Sequence, residues 1–439
     1  MPSNGEQVTT PLQRIANRAR RSPDEPFNNL LHVLTKEFLA DCFHALRKDA
    51  AAGVDRVTAH EYAQGLDDRL SDLVARIHRM GYHPQPVRRV YIPKDKKSLR
   101  PLGIPALEDK LVQEGMRRIL EAIYEDEFLE CSYGFRPKRS CHTALQALET
   151  TLTKHPVNYV IDADIKGFFD HVDHSQLLGC LEKRITDKRF LRYIIRFLKT
   201  GVVEKGTLLP SEGQGVPQGG VISPILSNIF LHYALDRWFT RQLLPTLRGY
   251  AALNRYADDF VICVQYPDEA RHVMKELRER LTHCHLTLAE EKTRLIVFSA
   301  QESEKVRLSG LPAGTFDYLG FTHFWYKTRK GNRFIGRCTS RKKFRQKVRA
   351  MKDWLQSMQQ TPIREIWPTL KAKLQGHFNY YGISGNTDGI RRFNYLTERL
   401  VFKQLNRCSQ RRRWNWDEYK EFLQWYPLPQ PRIVHRWWG

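Results

Sequence analysis

The chain has 439 residues, enough for about two to four domains with substantial cores. Its 71 Lys and Arg against 48 Asp and Glu give a formal charge of +23, which points to a polyanionic partner. A membrane is the weaker candidate, since no apolar run approaches ~18 residues and no basic-then-apolar leader opens the sequence.

Residues 26–80 read mainly as helices, with Phe38, Cys42, Phe43 and Leu46, then Tyr62, Leu66 and Leu70, at helical spacing. A Gly-containing loop, Ala52 to Thr58, lies between them. Val87 to Lys94 and Leu99 to Pro105 are β-prone runs around a basic turn, predicting a hairpin that carries Lys94 and Arg100. Leu107 to Phe128 is helical by pattern. The Gly/Pro loop Tyr133 to Ser140 interleaves aromatics with Arg136, Lys138 and Arg139, a mixture that suits bases and phosphates.

Tyr159 to Asp170 is the first acidic run. On a strand, Asp162 and Asp164 share a face opposite Ile161, Ala163 and Ile165. A helix is expected from about Ser175 to Thr200, then a Gly-rich loop, Gly213 to Gly220. Ser223 and Pro224 read as the cap and first turn of a helix with Ile222, Ile225, Leu226, Ile229, Phe230 and Tyr233 on one face.

Arg255-Tyr256-Ala257-Asp258-Asp259-Phe260 places two adjacent acids between apolar, β-prone stretches, a hairpin with the acids at its turn. The carboxylates repel, a divalent cation relieves the repulsion, and hard oxygens suit Mg²⁺. An isolated Asp-Asp pair is more often an ordinary surface turn.

A helix from Glu269 to Thr282, a strand from Arg294 to Phe298 and a short hairpin at Phe316 to Phe321 follow. From Lys327 to Lys352 there are twelve cations and no acid. Neutralising six phosphates there would give a salt slope of roughly −5. An aromatic helix, Gly376 to Gly382, and a basic end complete the chain. The eight cysteines are scattered without a C-x-x-C pair, and His283-Cys284-His285 lacks a second ligand pair, which argues against zinc and suits a reducing cytoplasm.

Taken in order, these motifs resemble the reverse transcriptase family, and within it the bacterial group II intron reverse transcriptase/maturases. Tyr256-Ala257-Asp258-Asp259 is similar to the catalytic hairpin, Asp164 to Asp170 to the first acidic motif, and Gln214 to Gly220 to the nucleotide-side loop. Tyr91 to Pro105 and Tyr133 to Ser140 resemble fingers motifs, Tyr318-Leu319-Gly320 the primer grip, and Gly376 to Gly382 the thumb or maturase helix.

The resemblance implies an α+β right-hand polymerase with fingers, a palm bearing an antiparallel RRM-like sheet, and a helical thumb. Its expected boundaries are 1–155 for the N-terminal extension and fingers, 156–325 for the palm with a fingers insertion about 205–235, 326–395 for the thumb, and 396–439 for a basic, candidate DNA-binding segment.

It also implies site roles. Asp164, Ile165, Asp258 and Asp259 would hold two Mg²⁺ ions, with Lys292 protonating the leaving pyrophosphate. Lys94, Arg100, Gln218, Ile165 and Phe169 would contact the nucleotide, Phe169 as the gate against a 2′-hydroxyl and Phe168 as its fallback. Arg136, Lys138, Arg139, Arg341, Lys342, Lys343 and Arg345 would meet nucleic acid. Asp162 reads as structural, and Asp170 as capping or hydrogen-bonding at the start of the next element. The implied partners are template and intron RNA, a DNA primer or target, and dNTPs, with no membrane and no zinc.

One departure is Arg56, where the family loop Gly-x-Asp-Gly has its last glycine. If that position needs a positive φ, Arg56 strains it. The sequence carries no paired cysteines of the C-terminal endonuclease of many relatives, so the expectation is a compact form that takes its primer from elsewhere, such as a nascent host strand. The alternatives are a maturase with dispensable polymerase activity and a reverse transcriptase domesticated for defence or repair.

Overall fold

The computed structural model describes residues 10–93, 99–210, 213–299, 314–327, 331–408 and 414–437. The chain divides into two compact units. One comprises residues 1–144, 163–262 and 268–294, the other residues 145–162, 263–267 and 295–439.

In the first unit, α1 (Pro11–Arg21) opens with a capping box between Thr10 and Gln13. Then come α2 (Lys36–Ala45), α3 (Ala59–Ala63) and α4 (Leu66–His78). The loop before α3 holds Arg56 at φ +60°, so the position does use left-handed backbone. The basic hairpin is present: β1 (Val87–Pro93) pairs antiparallel with β2 (Leu99–Ile104), Ile92 opposite Arg100. The helix expected to reach Phe128 ends earlier, as α5 (Leu107–Tyr124). It buries Leu111, Val112, Met116, Ile119, Leu120 and Ile123 and packs against α1 and α2.

Next are α6 (Cys141–Lys154), most of which belongs to the second unit, β3 (Tyr159–Asp164) and α7 (Phe168–His171). The single helix expected from 175 to 200 is two, α8 (His174–Glu182) and α9 (Lys188–Leu198). Apolar periodicity runs through both, but the backbone between them is used elsewhere. Thr186 N donates to Phe27 O, and Asp187 caps α9 while also accepting from Leu30 N and Leu31 N. With β4 (Val202–Glu204) and β5 (Thr207–Leu209), the hairpin extends to a sheet ordered β2-β1-β4-β5.

In α10 (Ser223–Leu231), Ser223 is the first helical residue rather than the cap, and its hydroxyl donates to Pro217 O at 2.7 Å. α10 is buried nearly all round instead of along one face, and it continues into a π turn, His232–Asp236, a rare geometry. β6 (Ala251–Tyr256) and β7 (Asp259–Val264) form the acidic hairpin, followed by α11 (Pro267–His283) and β8 (Arg294–Val297). These strands and β3 make a sheet ordered β6-β7-β3-β8. β3 and β7 cross the division between units, and their acid-bearing ends, Asp164 and Asp259, belong to the first.

The second unit adds β9 (Phe316–Tyr318), β10 (Phe321–Lys327) and β11 (Arg333–Thr339), then α12 (Arg341–Ser357), α13 (Ile363–Tyr381), α14 (Thr387–Cys408) and α15 (Trp416–Trp425). The β9–β10 turn has positive φ at Leu319 and Gly320. The Tyr380 hydroxyl on α13 donates to Leu319 O at 2.8 Å, so the expected grip turn is held by the aromatic helix. Two expected boundaries fall inside continuous elements: β10 spans 325/326, and α14 spans 395/396. Among the described residues no helix is long and apolar enough to cross a membrane.

Candidate active site

The acids sit where apolar strands end. Ile161 and Ala163 are buried on one face of β3, while Asp162 and Asp164 are half-buried on the opposite face, which they share with the buried Val160. The turn of the β6–β7 hairpin is Ala257-Asp258, with Ala257 buried at φ +57° and both Asp258 and Asp259 half-buried.

Ile165 is buried and forms an antiparallel bridge with Leu288, while Ala289 N donates to Asp164 O at 2.8 Å. That pairing carries the following turn past the end of β3, where Lys292 Nζ donates to Asp164 Oδ2. The bond to Asp164 raises the Lys292 pKa above its ordinary value, and the charges of Glu291 and Asp258 add to it. Asp164 and Asp258 therefore act on one ammonium.

Among the described residues, no group of three or more His, Cys, Asp or Glu stands ready to hold a metal ion. The donor chemistry nonetheless fits hard divalent cations: carboxylates from two strand ends in one unit, one already neutralised by an ammonium.

A cleft of about 440 Å³ lies beside the Gly-rich loop, lined by Arg89, Gly103, Phe169, Asp170, Pro217 and Gln218 among others. Phe168 is buried against Phe230, so Phe169 is the member of the pair that faces the cleft. The Gly-rich loop is tied to α7, with Val216 N donating to Phe169 O at 2.7 Å and Gly215 N to Val172 O at 2.9 Å. Gly215 has φ +86°, and a Cβ there would stand 3.1 Å from Asp170 O. Gln218 Nε2 donates to Asp170 Oδ1 at 3.3 Å, while Gly103 N of β2 donates to Gln218 O at 2.6 Å. Of the two expected roles for Asp170, a hydrogen bond is present and capping of α8 is not, since Asp173 caps that helix and accepts from Gln176 N. Arg100 is exposed on β2, and Lys94 lies outside the described residues.

The basic loop divides. Arg136 is buried, and its guanidinium donates to the Glu125 carboxylate and to the carbonyls of Glu125, Leu129 and Ser132. That corrects its expected nucleic-acid role, since no donor is left for a phosphate. Arg139 pairs with Glu130 at 2.8 Å and lies over the Tyr133 ring, while Lys138 is exposed. In the second unit Arg341, Lys342, Lys343 and Arg345 are all exposed on α12.

Sequence reasoning missed Arg255, Asp236 and Asn228, a buried polar cluster beside the β6–β7 turn. The available signal was periodicity: Arg255 shares a strand face with Ala251 and Leu253, and a cation on a buried face needs a buried counter-ion.

Residues 92–323 match the family described as reverse transcriptase (RNA-dependent DNA polymerase). The chain belongs to the reverse transcriptases. The group II intron-encoded protein LtrA of Lactococcus lactis subsp. cremoris is 31% identical over 90% of this chain and 77% of its own length. Protein YkfC of Escherichia coli is 36% identical over 59% of this chain and 76% of its own. The mitochondrial nuclear intron maturase 1 of Arabidopsis thaliana is 32% identical over 22% and 13%. This reverse transcriptase accordingly has the α+β right-hand polymerase fold and is an RNA-directed DNA polymerase.

Proposed function

We propose that this reverse transcriptase is a group II intron-type enzyme that copies RNA from a DNA primer with dNTPs and also binds its intron RNA as a maturase. The observation that carries the site assignment is that Asp164 at the end of β3 and Asp258 and Asp259 at the β6–β7 turn come from neighbouring strands of one sheet, with Lys292 Nζ donating to Asp164 Oδ2. Asp164, Asp258 and Asp259, with Ile165 beside them, would hold two Mg²⁺ ions. When bound, these ions supply Lewis-acid charge stabilisation for in-line phosphoryl transfer.

The remaining steps belong to the chain. Arg100, with Lys94, grips the triphosphate. Gln218 and Phe169 line the cleft in which the sugar sits, and the Phe169 ring excludes a ribose 2′-hydroxyl. Lys292 gives its proton to the departing pyrophosphate oxygen. Lys138, Arg139 and the α12 cations Arg341, Lys342, Lys343 and Arg345 take the nucleic-acid backbone. Fingers at 1–155, palm at 156–325, thumb at 326–395 and a DNA-binding end at 396–439 remain the domain reading. The scattered cysteines favour the cytoplasm.

RNA-templated primer extension with Mg²⁺ and dNTPs tests the polymerase assignment, and undiminished synthesis by Asp258→Ala would sink the catalytic site. Sequencing of RNA that copurifies tests the maturase reading. One structured intron RNA supports it, and a nonspecific mixture counts against it.

A further inference from the structure

We propose that Arg255 is the positioning residue of the catalytic turn, with Asp236 and Asn228 holding its guanidinium in place. The side chains of Arg255 and Asp236 are both 0% exposed. Arg255 Nε donates to Asp236 Oδ1 at 2.7 Å and Nη2 donates to Oδ2, a two-pronged grip. Nη1 donates to Asn228 Oδ1 at 3.1 Å and to Ala257 O at 2.9 Å, and Nη2 donates to Ser132 Oγ at 2.7 Å. The main chain reinforces this: Arg255 N donates to Cys131 O and Tyr133 N to Arg255 O, both at 2.8 Å.

The far side of the turn is closed as well. Asn228 Nδ2 donates to Gly134 O at 2.7 Å, and a Cβ on Gly134 would stand 2.4 Å from Ala257 N. The turn is thus clamped between the Gly134 backbone and the Arg255 guanidinium.

Stability alone does not account for this arrangement. A buried ion pair is often replaceable by apolar residues at no loss. An apolar pair, however, could not fix the Ala257 carbonyl. Ala257 sits at φ +57°, a conformation disfavoured for an L residue that persists only when its surroundings enforce it. Fixing its carbonyl fixes the peptide plane that joins it to Asp258, and hence the directions in which Asp258 and Asp259 project. Lysine could not replace the fork, since an ammonium cannot reproduce its planar spread of donors. Asp236 reaches this place from the last residue of the π turn, which gives that irregular segment a purpose.

The proposal rests on the reading of Asp258 and Asp259 as ion-holding acids. The test measures Mn²⁺ binding by electron paramagnetic resonance on the full chain with RNA template and a chain-terminated primer, so that no turnover contributes. Quench-flow then separates burst rate from burst amplitude. Asn228→Ala removes two bonds without stranding a charge, and Arg255→Lys removes the fork. Arg184→Lys, at a buried pair with Glu127 elsewhere in the unit, controls for lost stability.

Asn228→Ala and Arg255→Lys should weaken Mn²⁺ binding by about 10–100-fold, as outer partners of metal ligands do, and slow the burst rate. Arg184→Lys should lower only Tm and amplitude. Unchanged Mn²⁺ affinity and burst rate in Asn228→Ala, with losses confined to Tm or amplitude, would overturn the proposal. Asp258→Asn separates the two readings. If it leaves Mn²⁺ binding intact, the ion assignment falls and this proposal with it. If it abolishes binding while Asn228→Ala does not weaken it, only the positioning role is lost.

Discussion

Lys292 Nζ donates a hydrogen bond to Asp164 Oδ2, across 128 positions of sequence. The contact sets an ammonium against a carboxylate that is proposed to hold the metal ions. The Lys292 side chain is 57% exposed, so the pair adds little to stability, and its significance is chemical. Asp164 raises the Lys292 pKa, so the ammonium keeps its proton throughout neutral pH and loses it only as pH rises through that raised value. Lys292→Gln should slow single-turnover incorporation by about 10²–10⁴-fold with little change in dNTP half-saturation. A wild-type rate in quench-flow would remove Lys292 from the proton-transfer role.

Phe168 and Phe169 predict opposite phenotypes. Phe169 lines the cleft beside the Gly-rich loop, the proposed nucleotide site, whereas Phe168 is 2% exposed in the core. Phe169→Ala should reduce discrimination against rNTPs by about 10–200-fold, the range an apolar wall supplies against a small group. Phe168→Ala should instead cost about 3–5 kcal/mol in chemical denaturation through the cavity it leaves. Competition between dNTP and rNTP incorporation decides; unchanged selectivity in Phe169→Ala moves the gate elsewhere.

What could be read beforehand follows from periodicity. The acidic hairpin and β3 were legible because period-2 burial leaves acids conspicuous at strand ends, and Arg56 because a missing glycine is visible in a loop. Arg136 was not, since a cation among aromatics reads alike whether it meets phosphate or, as here, the buried carbonyls of Leu129 and Ser132. The break between α8 and α9 was hidden for a similar reason: Asp187 serves Leu30 and Leu31, partners over 150 positions away. The Arg255 cluster depends on loop, helix and hairpin meeting, which no local window contains.

Arg56 sits at φ +60°, in the left-handed region that glycine adopts freely. The left-handed conformation costs an L residue roughly 1–2 kcal/mol, and glycine's extra unfolded-state entropy returns ~0.5–1 of that. Arg56→Gly should therefore stabilise the chain by about 0.5–1 kcal/mol, seen as a higher urea midpoint with unchanged slope. A lower midpoint would mean that the Arg56 side chain makes a compensating contact.

The buried and exposed arginines should separate binding from stability. Arg136→Ala strands the Glu125 carboxylate and several carbonyls, and should destabilise by about 3 kcal/mol without altering the salt dependence of RNA binding. Replacing Lys342, Lys343 and Arg345 by Ala should leave Tm nearly unchanged and reduce the salt slope by about 2–3, at ~0.7–0.9 per phosphate contact. Fluorescence anisotropy from 50 to 300 mM KCl gives both slopes. An unchanged slope in the triple variant removes α12 from the RNA interface.

Asp109 should make stability depend on pH in an unusual direction. It lies buried on α5, where the Tyr82 hydroxyl and, at 3.1 Å, Gln85 N donate to its carboxylate. Burial pushes its pKa up to about 7, against ~3.9 for an unfolded aspartate. Between these values the folded state holds a proton that the unfolded state has released, so stability falls as pH rises from about 4 to 7 and then levels off. Asp109→Asn keeps an acceptor for Tyr82 and cannot ionise. It should match the wild type near pH 4 and exceed it above pH 7 by up to a few kcal/mol, at ~1.4 kcal/mol per pH unit. Denaturation midpoints at pH 4.5, 6 and 8 measure the gap. Parallel curves for the two proteins would show that Asp109 is ionised in the fold.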